Sequence, residues 1–289
     1  MINLKLFRFV MIMFLGLIII AACEKTDDQI KSGDITIVDD DVSASLLYDQ
    51  AFNEVDMALE QLEFIWANPS IKKSVQDTCP IIYVDHNDST YWPKTVTIDF
   101  GTDGCEGPWG TIRKGKIIIH ITGRYLREGS VRTVTLVDFS VNGFQVEGTR
   151  TTTNEGRNDD EFLVFSIVLE DGKVTTPEGI EITRGFTRTR TWIEGEQTPR
   201  WRWDDKYLID GEATGINRLG KTYTRTIIEP LLVATSCRWI MSGTVEIQPE
   251  DRSLILLDFG TGECDDLATV TVDGVTEEIT LKGKKRRNP

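Results

Sequence analysis

Hydrophobic side chains recur with two different periods along this chain, and the change falls near residue 70. In SASLLYDQAFNEVDMALEQLEFIW, Leu47, Ala51, Val55, Ala58, Leu62 and Ile65 stand three or four apart, the spacing of one helix face. The pattern predicts a helix over residues 43–69, with Ser43 as N-cap, Asp39, Asp40 and Asp41 beside its positive end, and Pro69 as terminator. A single apolar stripe calls for packing against a sheet. The acidic side, Asp49, Glu54, Asp56, Glu60 and Glu63, reads as the solvated face.

From about residue 79 the period becomes two. Asn142-Gly143, Asp171-Gly172 and Asp273-Gly274 separate β-like runs, and such pairs favour tight hairpin turns because their residues tolerate positive φ. A tight turn at Asp171-Gly172 sets Glu170 opposite Lys173. Leu163, Phe165, Ile167 and Leu169 share a face and mark core. The predicted fold is all-β over residues 70–289: a large antiparallel meander, sandwich-like or barrel-like, with one N-terminal amphipathic helix.

A repeat frames the meander. Residues 97–105 read TIDFGTDGC and residues 256–264 read LLDFGTGEC. Cys79 precedes Cys105 by 26 residues and Cys237 precedes Cys264 by 27; a glycine, Gly115 or Gly274, follows each copy ten residues on. The matching frames, residues 79–125 and 237–282, select the pairs Cys79–Cys105 and Cys237–Cys264 among three pairings. A Cys₄ zinc site is the competitor, but no C-x₂-C pair is present. In each copy Asp-Phe is expected to end a strand, Gly-Thr to turn the chain, and the later Gly to open the next hairpin.

The start of the chain decides compartment. Lys5 and Arg8, an apolar run from Phe9 to Ile20, and small residues before Cys23 form a signal peptide over residues 1–22. The run is short of the ~20 apolar residues of a comfortable span. Ile20-Ala21-Ala22-Cys23 resembles the lipobox of bacterial lipoproteins, which implies a diacylated, N-acylated Cys23 and a membrane partner held through lipid. Residues 23–42 read as a lipidated acidic tether. Outer-membrane anchoring follows as the expectation, with the acids behind Cys23 resembling surface-export signals and a periplasm-facing anchor left open.

Charge narrows the partners. The formal net charge is −14, and the excised segment holds two bases and no acid, so the mature chain is more acidic still. That argues against nucleic acid as a partner. The basic tail, KGKKRRNP, reads as a frayed terminus.

Candidate chemistry is sparse. The two histidines, His86 in a turn-rich loop and His120 on a polar strand face, make no triad pattern, and there is no G-x-S-x-G elbow. Acid clusters at 85–88 and 263–266 lack EF-hand spacing. No catalytic, cofactor-binding or metal set emerges. The most suggestive feature is a Thr/Arg ladder. In FTRTRTW, alternation puts Phe186, Arg188, Arg190 and Trp192 on one face, and PRWRWDD brings Trp201 and Trp203 together. Arg188, Arg190, Trp192, Trp201 and Trp203 form the candidate ligand surface for an acidic or glycan ligand. The competing reading is a solvated sheet face whose arginines pair with cross-strand acids.

The ordered motifs TVTIDFGTDGCEGPWGTIRKGKIIIHITGRY, VNGFQVEGTRTTTNEG, RTRTW, DDKYLIDGEATG and LLDFGTGECDDLATVTVDGVTEEITL resemble a family of Bacteroidetes cell-envelope lipoproteins over residues 79–281. The resemblance implies an envelope location and a β-rich fold, and carries no activity or catalytic residue. Two functions from different classes are therefore expected to compete. One is a non-catalytic lipid-anchored envelope protein that binds a glycan or protein partner or serves a structural role. The alternative is a glycan-active hydrolase using paired carboxylates beside an aromatic platform. A lipid-shuttling groove is a third, marked by an apolar concavity.

Overall fold

The computed structural model describes residues 30–67, 79–85, 91–107, 110–198 and 201–281. The expected signal peptide, Cys23, Pro69, His86 and the basic tail lie outside the described residues. Helix α1 spans Ser32–Ala67, so it starts at Ser32 instead of Ser43, and residues 32–42 are not tether. The stretch DITIVDDDV is rich in poor helix formers, and tertiary contacts override that preference. Ile37, Val38 and Val42 are buried there, as are Asp34, Asp40 and Asp41, which meet Arg252 and Arg218 of connecting loops and Arg184 of the sheet.

Fourteen strands follow: β1 (Ile81–Val84), β2 (Lys94–Asp99), β3 (Cys105–Gly107), β4 (Thr111–Ile121), β5 (Val131–Val141), β6 (Phe144–Arg157) and β7 (Leu163–Thr175). Then come β8 (Glu181–Glu194), β9 (Lys206–Ile216), β10 (Thr222–Ala234), β11 (Ser242–Pro249), β12 (Ile255–Thr261), β13 (Leu267–Val272) and β14 (Val275–Thr280). They make one sheet in sequence order, antiparallel at every step, with β3 paired to β4 off the main path. The sheet is open, so it is neither a sandwich nor a barrel; the helix supplies the second layer.

The helix runs across the strands in the reverse of their order. The Ile30 amide, just before α1, donates to Glu277 of β14 at 2.9 Å, while Trp66 near the far end packs edge-on to Trp92 beside β2. Thirty-six residues at ~1.5 Å each give a rod of ~54 Å, matched to a sheet of thirteen strands at ~4.8 Å. Its N-terminal half joins one apolar cluster with β10–β14, and its C-terminal half joins another with β2 and β4–β9. Among the described residues of the helix past its first, only a narrow line, Asp49, Asn53, Met57 and Gln61, is exposed. The sheet therefore curls round α1, and the acidic side is not a solvated face: Glu54 is buried and Asp56, Glu60 and Glu63 are half-buried against the sheet.

Two of the three expected hairpin turns form, with positive φ at Asn142, Gly143, Asp273 and Gly274. Asp171-Gly172 does not turn the chain. It is a bulge inside β7, where Leu169 pairs with Phe186 and Gly172 with Arg184, so Glu170 faces Thr149 and Lys173 faces Glu147. A bulge whose first residue sits at positive φ makes the same demand as the tight turn, and Asp171 has φ 52°.

The repeat is structural. Asp99 Oδ1 accepts the Gly101 amide at 2.9 Å and Asp258 Oδ1 accepts the Gly260 amide at 2.8 Å. Phe100 and Phe259 are buried, and both glycines have positive φ. The disulfides are Cys79–Cys105 and Cys237–Cys264, with Cα separations of 5.5 and 5.8 Å. The two copies differ in two places. In the second, Phe259-Gly260-Thr261 is still strand. The later glycines also part company: Gly274 turns a hairpin, whereas Gly115 is a bulge in β4 where an added Cβ would lie 2.1 Å from the Asp138 carbonyl oxygen.

Candidate functional site

The side chains of highest chemical potential are sandwiched between α1 and the inner face of the sheet. Period-two alternation points Arg132, Arg150, Arg184, Arg188, Arg190 and Arg225 inward, and the helix presents acids to them. Glu54 meets Arg113 at 2.7 Å. Asp56 faces three guanidinium groups, Arg132 at 3.1 Å, Arg190 at 3.5 Å and Arg150 at 4.0 Å. Asp41 pairs with Arg184 and, at 3.0 Å, with Arg225. Arg252 reaches Asp34 at 3.1 Å, Arg218 reaches Asp40, and Arg202 lies 3.7 Å from Glu60.

Aromatic rings line the arginines. Arg150 lies 3.8 Å from the Phe52 ring centre, Arg132 4.1 Å from Tyr125 and Arg188 4.0 Å from Phe186. Lys94, fully buried, sits between the rings of Trp66 and Trp92 at 5.1 and 5.0 Å. Such stacking stabilises cations taken out of water.

Burial pushes the Asp41 and Asp56 carboxyls up, yet the facing arginines outweigh it and hold both below the usual carboxylate range. For Arg188 nothing outweighs it. Burial, joined by repulsion from Arg184 and Arg225, pushes its guanidinium down to about 9, so it stays charged at neutral pH.

The five residues of the predicted ligand surface do not form one surface. Arg188 and Arg190 lie under the helix, where Arg190 meets Asp56 and donates to Tyr125 Oη at 2.7 Å. Trp192 is 6% exposed and donates from Nε1 to the Glu194 carbonyl. Trp201 and Trp203, 63% and 56% exposed, flank Arg202 on a short 3₁₀ turn. The alternation assigned to FTRTRTW is correct; Arg190 balances Asp56 of the helix instead of a cross-strand acid, and Arg188 stacks on Phe186. What sequence reasoning missed is that acid line, Asp34, Asp41, Asp56 and Glu63, legible as a helical spacing once the helix is extended back to Ser32.

The outer face is polar. One row of paired residues runs from Thr95 on β2 to Thr276 on β14, mostly polar and interrupted by Val168 and Leu256, through His120, Thr133, Thr151, Thr187, Glu212, Thr226, Glu246 and Thr271. Thr183, Thr214, Thr222, Thr224, Gln248 and Glu250 border a trough of about 710 Å³. A second hollow, about 400 Å³, includes Arg157, Asp160, Glu161, Trp192, Glu194 and Glu196. Among the described residues no helix is long and apolar enough to cross a membrane, and no group of three His, Cys, Asp or Glu stands together as a metal set.

Comparison of the chain with protein-family models, with curated proteins and with solved structures finds no match to any of them.

Proposed function

We propose that this chain is a lipid-anchored envelope protein that binds a ligand or partner without catalysis, Cys23 carrying the anchor and the outer sheet face carrying the recognition. The observation behind this reading is the way the inner face is filled. The helix acids and sheet arginines are largely committed to each other, so the Thr-rich outer face and its 710 Å³ trough are the broad surface available to a glycan or envelope protein. The signal segment, the lipobox-like Ile20-Ala21-Ala22-Cys23 and the resemblance to Bacteroidetes lipoproteins support the location.

Two experiments test it. Wild-type protein should incorporate labelled palmitate and partition with outer membranes, and Cys23→Ser should do neither. On a glycan array or in envelope crosslinking, Thr224→Arg, which fills the trough, should abolish capture. Unchanged capture would remove the trough from the proposal.

Glycan hydrolysis is a second reading, favoured by one observation: Glu194 and Glu196 line the smaller hollow beside Trp192. Both acids are engaged, Glu194 with Lys206 at 2.9 Å and Glu196 with Arg157. Release of reducing sugar by wild type and its loss in Glu196→Gln would favour hydrolysis over simple binding.

A further inference from the structure

The arginine cluster at Asp41 has more donors than its acid can use. Arg184 Nη1 donates to the Asp41 carboxylate and, at 3.2 Å, to the Asp41 carbonyl. Arg225 Nε lies 3.0 Å from the other carboxylate oxygen. Among the described residues, Arg184 Nε and Nη2, Arg225 Nη1 and Arg188 Nε then have no acceptor, although Arg184 and Arg225 are each only 2% exposed. Arg188 has no carboxylate within ion-pair distance among those residues. It lies along the Phe186 ring, and its electrostatic neighbours are Arg184 and Arg225, which repel it, and, acting more weakly, the carboxylates of Asp49 and Asp41.

The floor beneath these groups is made of small residues. Arg184, Phe186 and Arg188 are successive inward positions of β8, and Tyr223 and Arg225 are inward positions of β10. The strand between them, β9, turns Gly211, Ala213 and Gly215 inward, in register with Arg188, Phe186 and Arg184. The guanidinium groups thus border small residues at Gly211 and Ala213, roofed by α1, while the Tyr223 ring covers Gly215, where an added Cβ would lie 3.0 Å from it. Asp49, on the helix's exposed line, faces the cluster, with Arg188 its leading charged neighbour. Unpartnered guanidinium N–H groups out of water are costly, and a small oxyanion satisfies several at once through charge-assisted bonds.

We infer that the Arg184–Arg188–Arg225 cluster, over the small residues Gly211 and Ala213, is a binding site for a small tetrahedral oxyanion, a phosphate or sulfate group. The site adjoins the trough, whose lining includes Arg184 and Gly215, but it uses the inward guanidinium groups and goes beyond the binding reading proposed above.

Thermal unfolding of the full mature chain tests this, in phosphate, sulfate or acetate at fixed ionic strength against chloride. Phosphate or sulfate should raise Tm saturably, by on the order of 5 °C at about a hundredfold excess over Kd. Chloride should not. Arg188→Gln, which breaks no ion pair, should fold and lose the response; Ala213→Leu, which fills the floor, should lose it too. Free phosphate and phosphatidate vesicles are compared by competition, and protection by vesicles alone would overturn a soluble ligand. An equal effect of chloride, no wild-type response, or an undiminished response in Arg188→Gln would overturn the site, leaving the spare donors to water.

Discussion

The hydroxyl of Tyr48, in the middle of the helix, donates a 2.8 Å hydrogen bond to the backbone carbonyl of Glu147 on β6, 99 residues away. The contact depends on the bulge at Asp171-Gly172. A Cβ on Gly172 would lie 2.8 Å from Tyr48 Oη and 2.1 Å from the Arg184 carbonyl oxygen. Gly172→Ala should therefore destabilise the protein by about 2–4 kcal/mol, as a backbone clash in a packed interior does. Tyr48→Phe should cost only about 1 kcal/mol. Urea unfolding of the two variants checks the order, and a smaller loss for Gly172→Ala than for Tyr48→Phe would contradict this packing.

Asp56 is the single carboxylate among three arginines. Asp56→Ala leaves Arg132, Arg150 and Arg190 facing one another with their shared acid gone, and removing one partner of a buried ionic group costs about 3–5 kcal/mol. Asn53→Ala, one turn away on the exposed line, should change stability by less than about 0.5 kcal/mol. Denaturation midpoints of the two variants make the comparison.

Acid should unfold the protein through the helix–sheet acids. Asp41 and Asp56 are held below the usual carboxylate range by their arginines, against burial. A group depressed in the folded state adds stability that is complete above its unfolded value, ~3.9, and is lost as pH falls through the folded value. Burial raises Glu54 and Glu63 instead, with Arg113 opposing it at Glu54 and the Tyr125 amide opposing it at Glu63. These two bind protons before the unfolded chain does, so stability holds or rises slightly as pH falls from 7 towards ~4.3 and does not decline there. Stability should then drop steeply below ~4. Asp56→Asn should flatten that acid limb, and a steady decline beginning near neutral pH would be inconsistent with these shifts.

Each disulfide closes one copy of the repeat. Cys79–Cys105 ties the approach to β1 onto β3, and Cys237–Cys264 joins the loop after β10 to the end of the β12–β13 connection. In the chain-entropy account, loops of this size contribute ~3–4 kcal/mol each. Unfolding in urea with and without reductant should show that loss twice over, with Cys237→Ala plus Cys264→Ala accounting for half. Free thiols at all four positions in protein purified without reductant would contradict the pairing.

Much of the fold was legible because strand pairing leaves a period of two that no other element imitates. The antiparallel meander, the inward face of Leu163–Leu169, the turns at Asn142 and Asp273, and the cysteine frame all follow from local pattern. The misreadings share one cause. Asp171-Gly172 satisfies a turn and a bulge equally, and the choice lies with neighbouring strands. Residues 32–42 are poor helix formers, and arginines from distant strands decide their state. Arg188 and Trp192 alternate as expected, but alternation does not say which face is covered.

The sequence by itself determined the strand alternation, the repeat with its cysteine pairs, and the acidic and arginine-rich stretches as separate facts. Only the tertiary structure decided that these stretches belong to each other. An acid on the helix and an arginine on β8 are 143 residues apart at Asp41 and Arg184. Neither carries a local sign of its partner, because the free energy that buries a charge comes from the opposite charge folding over it.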